Sequence, residues 1–266
     1  MELFSIVYAV ILGVVQGVTE FLPVSSSAHL IIISWLFKGE ALPLSLNISL
    51  HIGTLVAVLI YFKKDWVRIV SSVLRFAKTR EKSFESHTLL PGLIVGSIPA
   101  GVVGLMWKDE IEAVFHNPSF VAYPLAIVGV LLWYVDSKAP SRKSVGQITI
   151  KDAMLVGVAQ ACALIPGTSR SGATILGARL LGVDREGAAR FSFLLGTPVM
   201  MGAALLESRD ILDSLGDPVF YIGVITSIFV GIGAIHFLIE FVKRFGLAVF
   251  AIYRLVLATA LFFLVK

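Results

Sequence analysis

Long apolar blocks, separated by short polar segments, dominate the chain from end to end. A helix needs about 20 mostly apolar residues to cross the hydrocarbon core of a bilayer. The short alternating segments typical of a lipid-facing β-barrel do not stand out. The pattern therefore predicts an all-α polytopic membrane protein, a single membrane domain over residues 1–266, with six transmembrane helices at 45–62, 89–107, 119–135, 188–206, 219–240 and 247–265.

Two further apolar stretches are each interrupted by a polar loop. The first loop, residues 23–27, separates the apolar arms 3–22 and 28–37. The second loop, residues 166–172, separates the arms 153–165 and 173–182. The second arm of each pair has about ten residues, which is too short to cross a bilayer. We therefore expect two re-entrant helix–loop–helix pairs, because non-helical backbone at membrane depth must be buried in protein or line a watery cavity.

The composition supports this fold class. Hydrophobic residues make up 57% of the chain and charged residues only 15%, whereas a soluble domain carries about 25% charged residues. This composition excludes a secreted disulfide scaffold, a disordered chain and an ordinary cytosolic enzyme, and the single cysteine, Cys162, cannot form an internal disulfide and so does not indicate the compartment. Residues 1–22 lack a basic flank, so we do not expect a cleaved signal peptide there.

The charges between the apolar blocks predict an orientation. Residues 63–88 carry seven Lys and Arg against three Asp and Glu, and residues 136–152 carry four against two. The balance is reversed in 107–118, with one against three, and in 207–217, with one against four. The positive-inside rule then places the basic loops in the cytoplasm and both termini outside.

Because the basic residues follow this membrane orientation, we expect no nucleic-acid partner. Segment 64–78 is amphipathic enough to lie along the membrane surface.

The two halves of the chain share landmarks at a nearly constant spacing. Three landmark pairs are separated by 143 residues: Pro23 and Pro166, Ser26 and Ser169, and Gly53-Thr54 and Gly196-Thr197. Gln16 matches Gln160 with one residue of slip. These matches predict a first repeat at 1–138 and a second at 150–266. Each half holds three spans, so the second repeat is expected to be inverted in the membrane, with the two loops approaching each other.

Few ionisable residues lie within the apolar segments. Glu20 and His29 flank the first loop, and Arg170 lies in the second. A charge at bilayer depth costs several kcal/mol, so it needs a partner or a watery cavity. If the loops meet, these groups share one site, with a purely structural Glu20–Arg170 salt bridge as the alternative. Arg179, near a predicted helix end, is expected to extend towards the interface.

Both loops are rich in residues that bind anions. Serines at a helix start cap free N–H groups, and the helix dipole there favours a phosphate. An arginine can bind two phosphate oxygens at once. Hydroxyls and glycines that only cap and turn the chain are the alternative for any single residue. The predicted phosphate-binding set is Ser25, Ser27, Ser169, Ser171, Gly172, Thr174 and Arg254, the last facing the cavity or pairing with an acid.

A nucleophile is available at the first loop. Ser26 precedes His29 by three residues, so both can lie on one side of a helical turn. A serine hydroxyl needs a base within hydrogen-bond reach, and His29 or Glu20 could supply it. Glu20 could instead hold a divalent cation together with Gln16, which is four residues earlier on the same helix face. The catalytic set is thus Glu20, Ser26, His29 and Arg170, with base catalysis and metal binding both open for Glu20.

At these residues the sequence resembles the undecaprenyl-diphosphate phosphatase family, bacterial membrane enzymes associated with bacitracin resistance. The two long motifs are Gln16-Gly-Val-Thr-Glu20-Phe-Leu-Pro-Val-Ser-Ser-Ser-Ala-His29 and Pro166-Gly-Thr-Ser-Arg-Ser-Gly-Ala-Thr174. Shorter matches support them: Leu50-His-Ile-Gly-Thr54, Phe191-Ser-Phe-Leu-Leu-Gly-Thr-Pro198 and Ala251-Ile-Tyr-Arg254.

The resemblance implies a function and its setting. It implies hydrolysis of undecaprenyl diphosphate to the monophosphate and phosphate, which recycles the carrier lipid for peptidoglycan and cell-wall synthesis. It also implies an interdigitated inverted repeat, dependence on Mg or Ca, a site open to the outer face of the bacterial inner membrane, and competition with bacitracin for the same lipid. It allows a homodimer. The family's functional positions fall on Glu20, Ser26, His29 and Arg170, with Ser169 and Thr174 in support.

The sequence departs from the family pattern at three positions, and two other functions compete with hydrolysis. Gln16, Ala28 and Asn47 stand where the family commonly has an acid, a glycine and an acid, and Gln16 weakens a two-carboxylate metal site. Inverted repeats with broken helices are also typical of transporters, so a polyprenyl-phosphate flippase is an alternative. An ion channel is a weaker one, because a channel needs no serine and histidine beside an arginine.

Overall fold

The computed structural model describes residues 3–37, 43–114 and 118–264. Within these ranges the chain forms α-helices joined by short connections, with one π-helical turn at Glu85–Leu89, one 3₁₀ turn at Val145–Gln147 and no β-strand. The all-α prediction is therefore confirmed for the described residues. The helices are α1 Leu3–Phe21, α2 Ser26–Phe37, α3 Leu44–Tyr61, α4 Lys63–Thr79, α5 Leu90–Val114, α6 Pro118–Lys138, α7 Ile150–Cys162, α8 Arg170–Leu180, α9 Arg185–Leu206, α10 Ser208–Ser214, α11 Pro218–Arg244 and α12 Ala248–Leu264.

Six helices in the described ranges are long and apolar enough to cross a membrane, but they are not quite the six predicted. They include α1, which was predicted to be a re-entrant arm, and they omit α12, which was predicted to span. The helix α1 continues unbroken for 19 residues. The predicted last span ended at Val265, which lies outside the described residues. That α1–α2 and α7–α8 are re-entrant pairs stays a prediction.

Side-chain caps fix where several helices begin. Asp184 accepts the N–H of Gly187 at 2.7 Å and starts α9. Thr149 and Asp152 form a reciprocal capping box at the start of α7. Asp217 accepts the N–H of Val219 at 2.9 Å at the start of α11. These caps satisfy N–H groups that a helix leaves unpaired at its N-terminus.

The first helix of each half packs against a helix of the other half. The helix α1 packs on α11, and α7 packs on α5. Both crossings depend on glycine, since a Cβ at Gly13 would lie 2.6 Å from Cβ of Thr226, and one at Gly157 would lie 2.2 Å from the carbonyl oxygen of Gly96. Small residues allow such close helix contacts in membranes. The helices of the two halves are thus interleaved, and the largest cluster of buried apolar side chains draws on both halves.

One buried carboxylate connects the ends of four helices, α6, α8, α9 and α12. Asp136 of α6 accepts hydrogen bonds from Nε of Arg179 at 3.2 Å, Nε of Arg185 at 2.8 Å and the N–H of Leu247 at 2.9 Å. Arg179 also donates to the carbonyl of Val183 at 2.6 Å. Its side chain is 2% exposed, so the expectation that it extends towards the interface is wrong. The buried Asp136 carboxylate holds it inside the protein instead.

Replacing Asp136 is therefore expected to destabilise the bundle strongly. Asp136→Asn leaves the buried guanidinium of Arg179 without its counter-charge, and breaking one side of a buried ion pair costs about 3–5 kcal/mol. Reversible unfolding in mixed detergent micelles measures the loss. The matched control is Glu240→Gln, which removes the exposed 2.6 Å pair with Lys243 and should cost no more than about 1 kcal/mol. Equal losses in the two variants would contradict a stabilising role for Asp136.

Candidate functional site

The two loops present their following helices in the same way. Ser25 and Ser169 immediately precede α2 and α8, and both have left-handed backbone, with φ of 76° and 72°. Ser169 caps α8 by accepting the N–H of Gly172 at 3.1 Å, and Ser25 accepts that of Ala28 at 3.5 Å. The caps are 144 residues apart, so Ser169 corresponds to Ser25 and not to Ser26 as predicted.

Both helices after the loops begin earlier than the sequence predicted. The helix α2 begins at Ser26 and α8 at Arg170, two and three residues before the predicted arms at 28 and 173. The capping serines supply a helix start that an apolar pattern alone does not reveal. Ser26 and Arg170 therefore occupy equivalent positions, each the first residue of its helix.

The two loops meet at Glu20. Nη2 of Arg170 donates to Oε1 of Glu20 at 2.8 Å, and the two side chains are 14% and 9% exposed. The hydroxyl of Ser26 donates to Oε2 of Glu20 at 2.7 Å. Nε2 of Gln16 donates to the same oxygen at 3.2 Å. The structure thus brings the predicted acid, hydroxyl and guanidinium into direct contact from two loops about 150 residues apart.

Two serines predicted to bind phosphate join the loops to each other. The N–H of Gly167 donates to Oγ of Ser27 at 3.3 Å. The hydroxyl of Ser171 donates to the carbonyl of Leu22 at 3.1 Å. Each loop therefore supplies one serine that bonds to the backbone of the other loop, which fixes their relative position. Whether these hydroxyls also contact a phosphate stays a prediction.

Three more predicted residues hold the loops internally. Oγ of Ser25 lies 3.1 Å from Oγ of Ser27, and Oγ of Ser169 lies 3.2 Å from Oγ of Ser171. The hydroxyl of Thr174 donates to the carbonyl of Arg170 at 2.8 Å and lies 2.6 Å from Oγ of Ser192 on α9. These bonds shape the start of α8 around Arg170.

Arg254 is buried beneath both loops. Its Nη2 donates to the carbonyls of Gly167 at 2.8 Å and Thr168 at 3.0 Å, and its Nη1 donates to that of Pro23 at 3.3 Å. Two further carbonyls, those of Pro124 and Leu125, bind it from α6. It therefore pairs with carbonyl groups, whereas the sequence predicted an acid or an open cavity. A contact between Arg254 and a phosphate stays a prediction.

His29 does not contact Ser26. Its Nδ1 lies 2.7 Å from the carbonyl oxygen of Ser25, and its Nε2 lies 2.6 Å from the hydroxyl of Tyr253. A carbonyl only accepts, so Nδ1 carries a proton, and in the neutral ring Nε2 accepts a hydrogen bond from the hydroxyl of Tyr253. Of the two bases left open for Ser26, the structure pairs its hydroxyl with Glu20, because the Ser25 carbonyl holds the imidazole of His29.

Tyr253 is the residue that the sequence reasoning missed. Its ring stacks on His29 with centroids 5.6 Å apart and an interplanar angle of 6°. It lies 224 residues from His29 in the chain, so no local spacing indicates the contact. Its position next to Arg254, within the motif Ala251-Ile-Tyr-Arg254, was the available signal.

Several donors at the junction have no partner among the described residues. Nη1 of Arg170 is buried and unpaired. No hydrogen bond is formed there by the backbone N–H groups of the first two residues of α2 and of α8. Buried polar groups are nearly always satisfied, so free donors would be unexpected if the Glu20–Arg170 pair were only a structural salt bridge. Free N–H groups at helix N-termini beside a guanidinium are suited to a phosphate.

A glycine on α9 makes room for this guanidinium. A Cβ at Gly196 would lie 1.9 Å from Nη1 of Arg170. Any other residue there would push the guanidinium away from its present place. The repeat landmark Gly196-Thr197 therefore has a physical role at the junction.

The oxygen ligands at the junction suit a divalent cation only in part. Oε1 of Gln16 is buried and unpaired one helical turn before Glu20. No cluster of three or more His, Cys, Asp or Glu that could hold a metal occurs in the described part of the chain. Mg²⁺ commonly binds through one or two protein oxygens plus substrate phosphates. Gln16 and Glu20 fit a cation of that kind, completed by phosphate oxygens.

The chain has close relatives among known proteins. The profile of the family described as bacitracin resistance protein BacA matches residues 9–260. An undecaprenyl-diphosphatase of Desulforudis audaxviator is 44% identical over 248 residues, covering 93% of each chain. One of Thermodesulfovibrio yellowstonii is 42% identical over 268 aligned residues, covering 99% of this chain and 97% of that protein. One of Pelotomaculum thermopropionicum is 38% identical over 256 residues, covering 96% and 95%.

Proposed function

Because the chain belongs to the bacitracin resistance protein BacA family, we propose that it is an undecaprenyl-diphosphatase. It is a multi-pass membrane enzyme that converts undecaprenyl diphosphate to undecaprenyl phosphate and phosphate, recycling the carrier lipid for cell-wall synthesis. The observation that carries the assignment of the active site is the contact of Glu20 with Ser26 and Arg170 across the two loops.

Ser26 is the nucleophile in this mechanism and Glu20 is its base. The hydroxyl of Ser26 already donates to Oε2 of Glu20 at 2.7 Å, while His29 is engaged elsewhere. Oγ of Ser26 attacks the terminal phosphorus as its proton passes to Glu20. The bond from that phosphorus to the bridging oxygen breaks, and undecaprenyl phosphate leaves. Water then hydrolyses the phosphoserine, which releases phosphate and restores the Ser26 hydroxyl.

Arg170 and the two helix N-termini neutralise the phosphates. The unpaired Nη1 of Arg170 and the free N–H groups at the starts of α2 and α8 supply donors from opposite sides. Donors aimed at the transferring phosphoryl group stabilise the charge spread over its oxygens in the transition state. Ser25, Ser27, Ser169, Ser171, Gly172, Thr174 and Arg254 shape this cradle, and any direct contact they make with the phosphates belongs to the proposal.

His29 and Tyr253 act as positioning residues. His29 holds the carbonyl of Ser25, which directly precedes the nucleophile, and Tyr253 holds the imidazole in one tautomer. The left-handed backbone of Ser25 is a strained conformation, costing about 1–3 kcal/mol, that persists only when its surroundings hold it. The His29–Tyr253 pair provides that support.

As the alternative to base catalysis by Glu20, Gln16 and Glu20 would together hold a divalent cation, Mg or Ca, when the diphosphate is bound. The support is the buried, unpaired Oε1 of Gln16 on the same helix as the Glu20 carboxylate. When bound, the cation supplies positive charge that offsets the charge of the diphosphate oxygens.

The proposed location is the bacterial inner membrane, with the site open to the outer face. The acidic segments 107–118 and 207–217 and the basic segments 63–88 and 136–152 support this orientation. Bacitracin would compete for the same lipid, and a homodimer stays a prediction. The inverted repeat is supported by the exchange of helix partners, with α1 on α11 and α7 on α5.

Loss of Arg170 is expected to abolish turnover while the fold stays intact. Purified wild-type protein in detergent should release phosphate from undecaprenyl diphosphate, and Arg170→Ala should lower kcat by about 10³-fold or more, as for other arginines that stabilise phosphoryl transfer. Arg209→Ala, which removes an exposed arginine from α10, is the control and should keep the wild-type rate. The thermal unfolding midpoint of each variant checks the fold.

Several outcomes would contradict this assignment. A wild-type rate in Arg170→Ala would show that the site is elsewhere. Lipid movement without phosphate release would indicate a transporter, and ion currents without hydrolysis would indicate a channel.

Acid quenching of the wild-type protein during turnover should trap phosphate on Ser26. Continued turnover without trapped phosphate would assign the attack to water.

Loss of the Tyr253 hydroxyl is expected to slow turnover moderately. Tyr253→Phe keeps the stacked ring but removes the 2.6 Å hydrogen bond to His29. One such bond is worth about 1 kcal/mol, so kcat should fall about three- to tenfold with KM unchanged. In a His29→Ala background the same substitution should cost little more. Tyr123→Phe is the control, and additive losses in the double variant would separate Tyr253 from His29.

The metal proposal is tested by substitutions at Gln16. Chelation should stop phosphate release, and Mg or Ca should restore it. Gln16→Leu should raise the metal concentration for half-maximal activity about tenfold, and Gln16→Glu should lower it, since a carboxylate is the stronger ligand. Gln160→Leu is the matched control, because Gln160 is also buried with unpaired polar atoms but lies in α7. Unchanged metal dependence in both Gln16 variants would remove Gln16 from the metal site.

A further inference from the structure

The helix α4 exposes apolar residues on one side although it does not span. Val67, Val70 and Leu74 are 66%, 56% and 58% exposed, and their spacing of three and four residues aligns them in one stripe. Ile69, on the other edge of the apolar face, is buried. The ring of Phe76 packs edge-on against His87, with centroids 4.8 Å apart. The helix is thus fixed to the protein along one edge and presents the stripe outwards.

A charged cavity lies beside this helix. It has a volume of about 250 Å³ and is lined by α4 and by the segment that follows it. Its cations are Arg68, Arg75 and Lys82, and none of the three forms an ion pair within the described ranges. The rest of the lining is Ser71, Ser72, Ser83, Glu81 and Glu85. The wall therefore combines three unpaired cations with hydroxyl groups and two carboxylates, a lining with a net positive charge that suits a phosphate.

This region is the most basic of the segments between the apolar blocks. Residues 63–88 have an excess of four basic over acidic residues, and the formal net charge of the chain is +4. A basic amphipathic helix with an exposed apolar stripe binds best where acyl chains and negative charge occur together. The surface of an anionic membrane offers both. A free phosphate offers only the charge.

We propose that the stripe of Val67, Val70 and Leu74, together with the cavity lined by Arg68, Arg75 and Lys82, is a binding site for an anionic phospholipid. The acyl chains lie along the stripe, and the headgroup phosphate enters the cavity. The site is separate from the two loops that meet at Glu20. It ties α4, and through it the ends of α3 and α5, to a negatively charged membrane surface.

Native mass spectrometry of the detergent-solubilised full chain tests the site. The wild-type protein is titrated with phosphatidylglycerol or with phosphatidylcholine of the same acyl chains. We expect tighter binding of phosphatidylglycerol, and Arg68→Gln/Arg75→Gln/Lys82→Gln should weaken it at least tenfold. The matched control is Lys138→Gln/Arg142→Gln/Lys151→Gln, which removes three exposed cations from the other basic segment and should bind like the wild type.

Two further variants separate the parts of the site. Val70→Asn/Leu74→Asn should weaken phosphatidylglycerol binding several-fold while leaving its salt dependence unchanged. Arg68→Lys/Arg75→Lys, which keeps both charges, should retain most of the binding and shows that a loss in the glutamine variant is not misfolding.

The proposal is overturned if the two lipids bind equally or if the control variant loses as much as the cavity variant. It is also overturned if inorganic phosphate, which has no acyl chain, competes at concentrations similar to those of the lipid.

Discussion

Two opposite charges inside an apolar bundle stabilise each other, and the rest of the site depends on that pair. Glu20 and Arg170 are 9% and 14% exposed, so neither has much water to solvate it, and an isolated charge in such a place costs several kcal/mol. The pair can form only if the two loops stay in contact. The bonds of Ser27 and Ser171 to the opposite loop, and those of Arg254 to both loops, maintain that contact.

The features that the sequence predicted are those whose cause lies nearby in the chain or in the matching of the two halves. Apolar length predicted the helices, and the shared landmarks predicted that Glu20 and Arg170 would meet. The partners of Arg179 and Arg254 include backbone carbonyls, which every residue carries, so no residue type indicates them. The capture of His29 by the Ser25 carbonyl depends on a left-handed loop that an apolar pattern does not reveal.

The positive φ of the two serines sets where α2 and α8 begin relative to the loop contact. A left-handed residue just before a helix turns the chain sharply, so that the first N–H groups of α2 and α8 begin close to the loop contact. Such strain persists only where surrounding contacts hold it. The carbonyl bonds of Arg254 and the His29–Tyr253 pair supply those contacts, which places two conformationally costly residues at the centre of the proposed chemistry.

The similarity of the two caps also shows how two similar loops form an asymmetric site. The first helical residue is Ser26 after one loop and Arg170 after the other, although the preceding serines share a positive φ. Two serines there would provide nucleophiles without a counter-charge for the phosphate, and two arginines would repel each other and provide no nucleophile. The carboxylate is also present once, because the residue 144 positions after Glu20 is Leu164. The two loops therefore supply similar serine caps, and the proposed chemistry arises where their sequences differ.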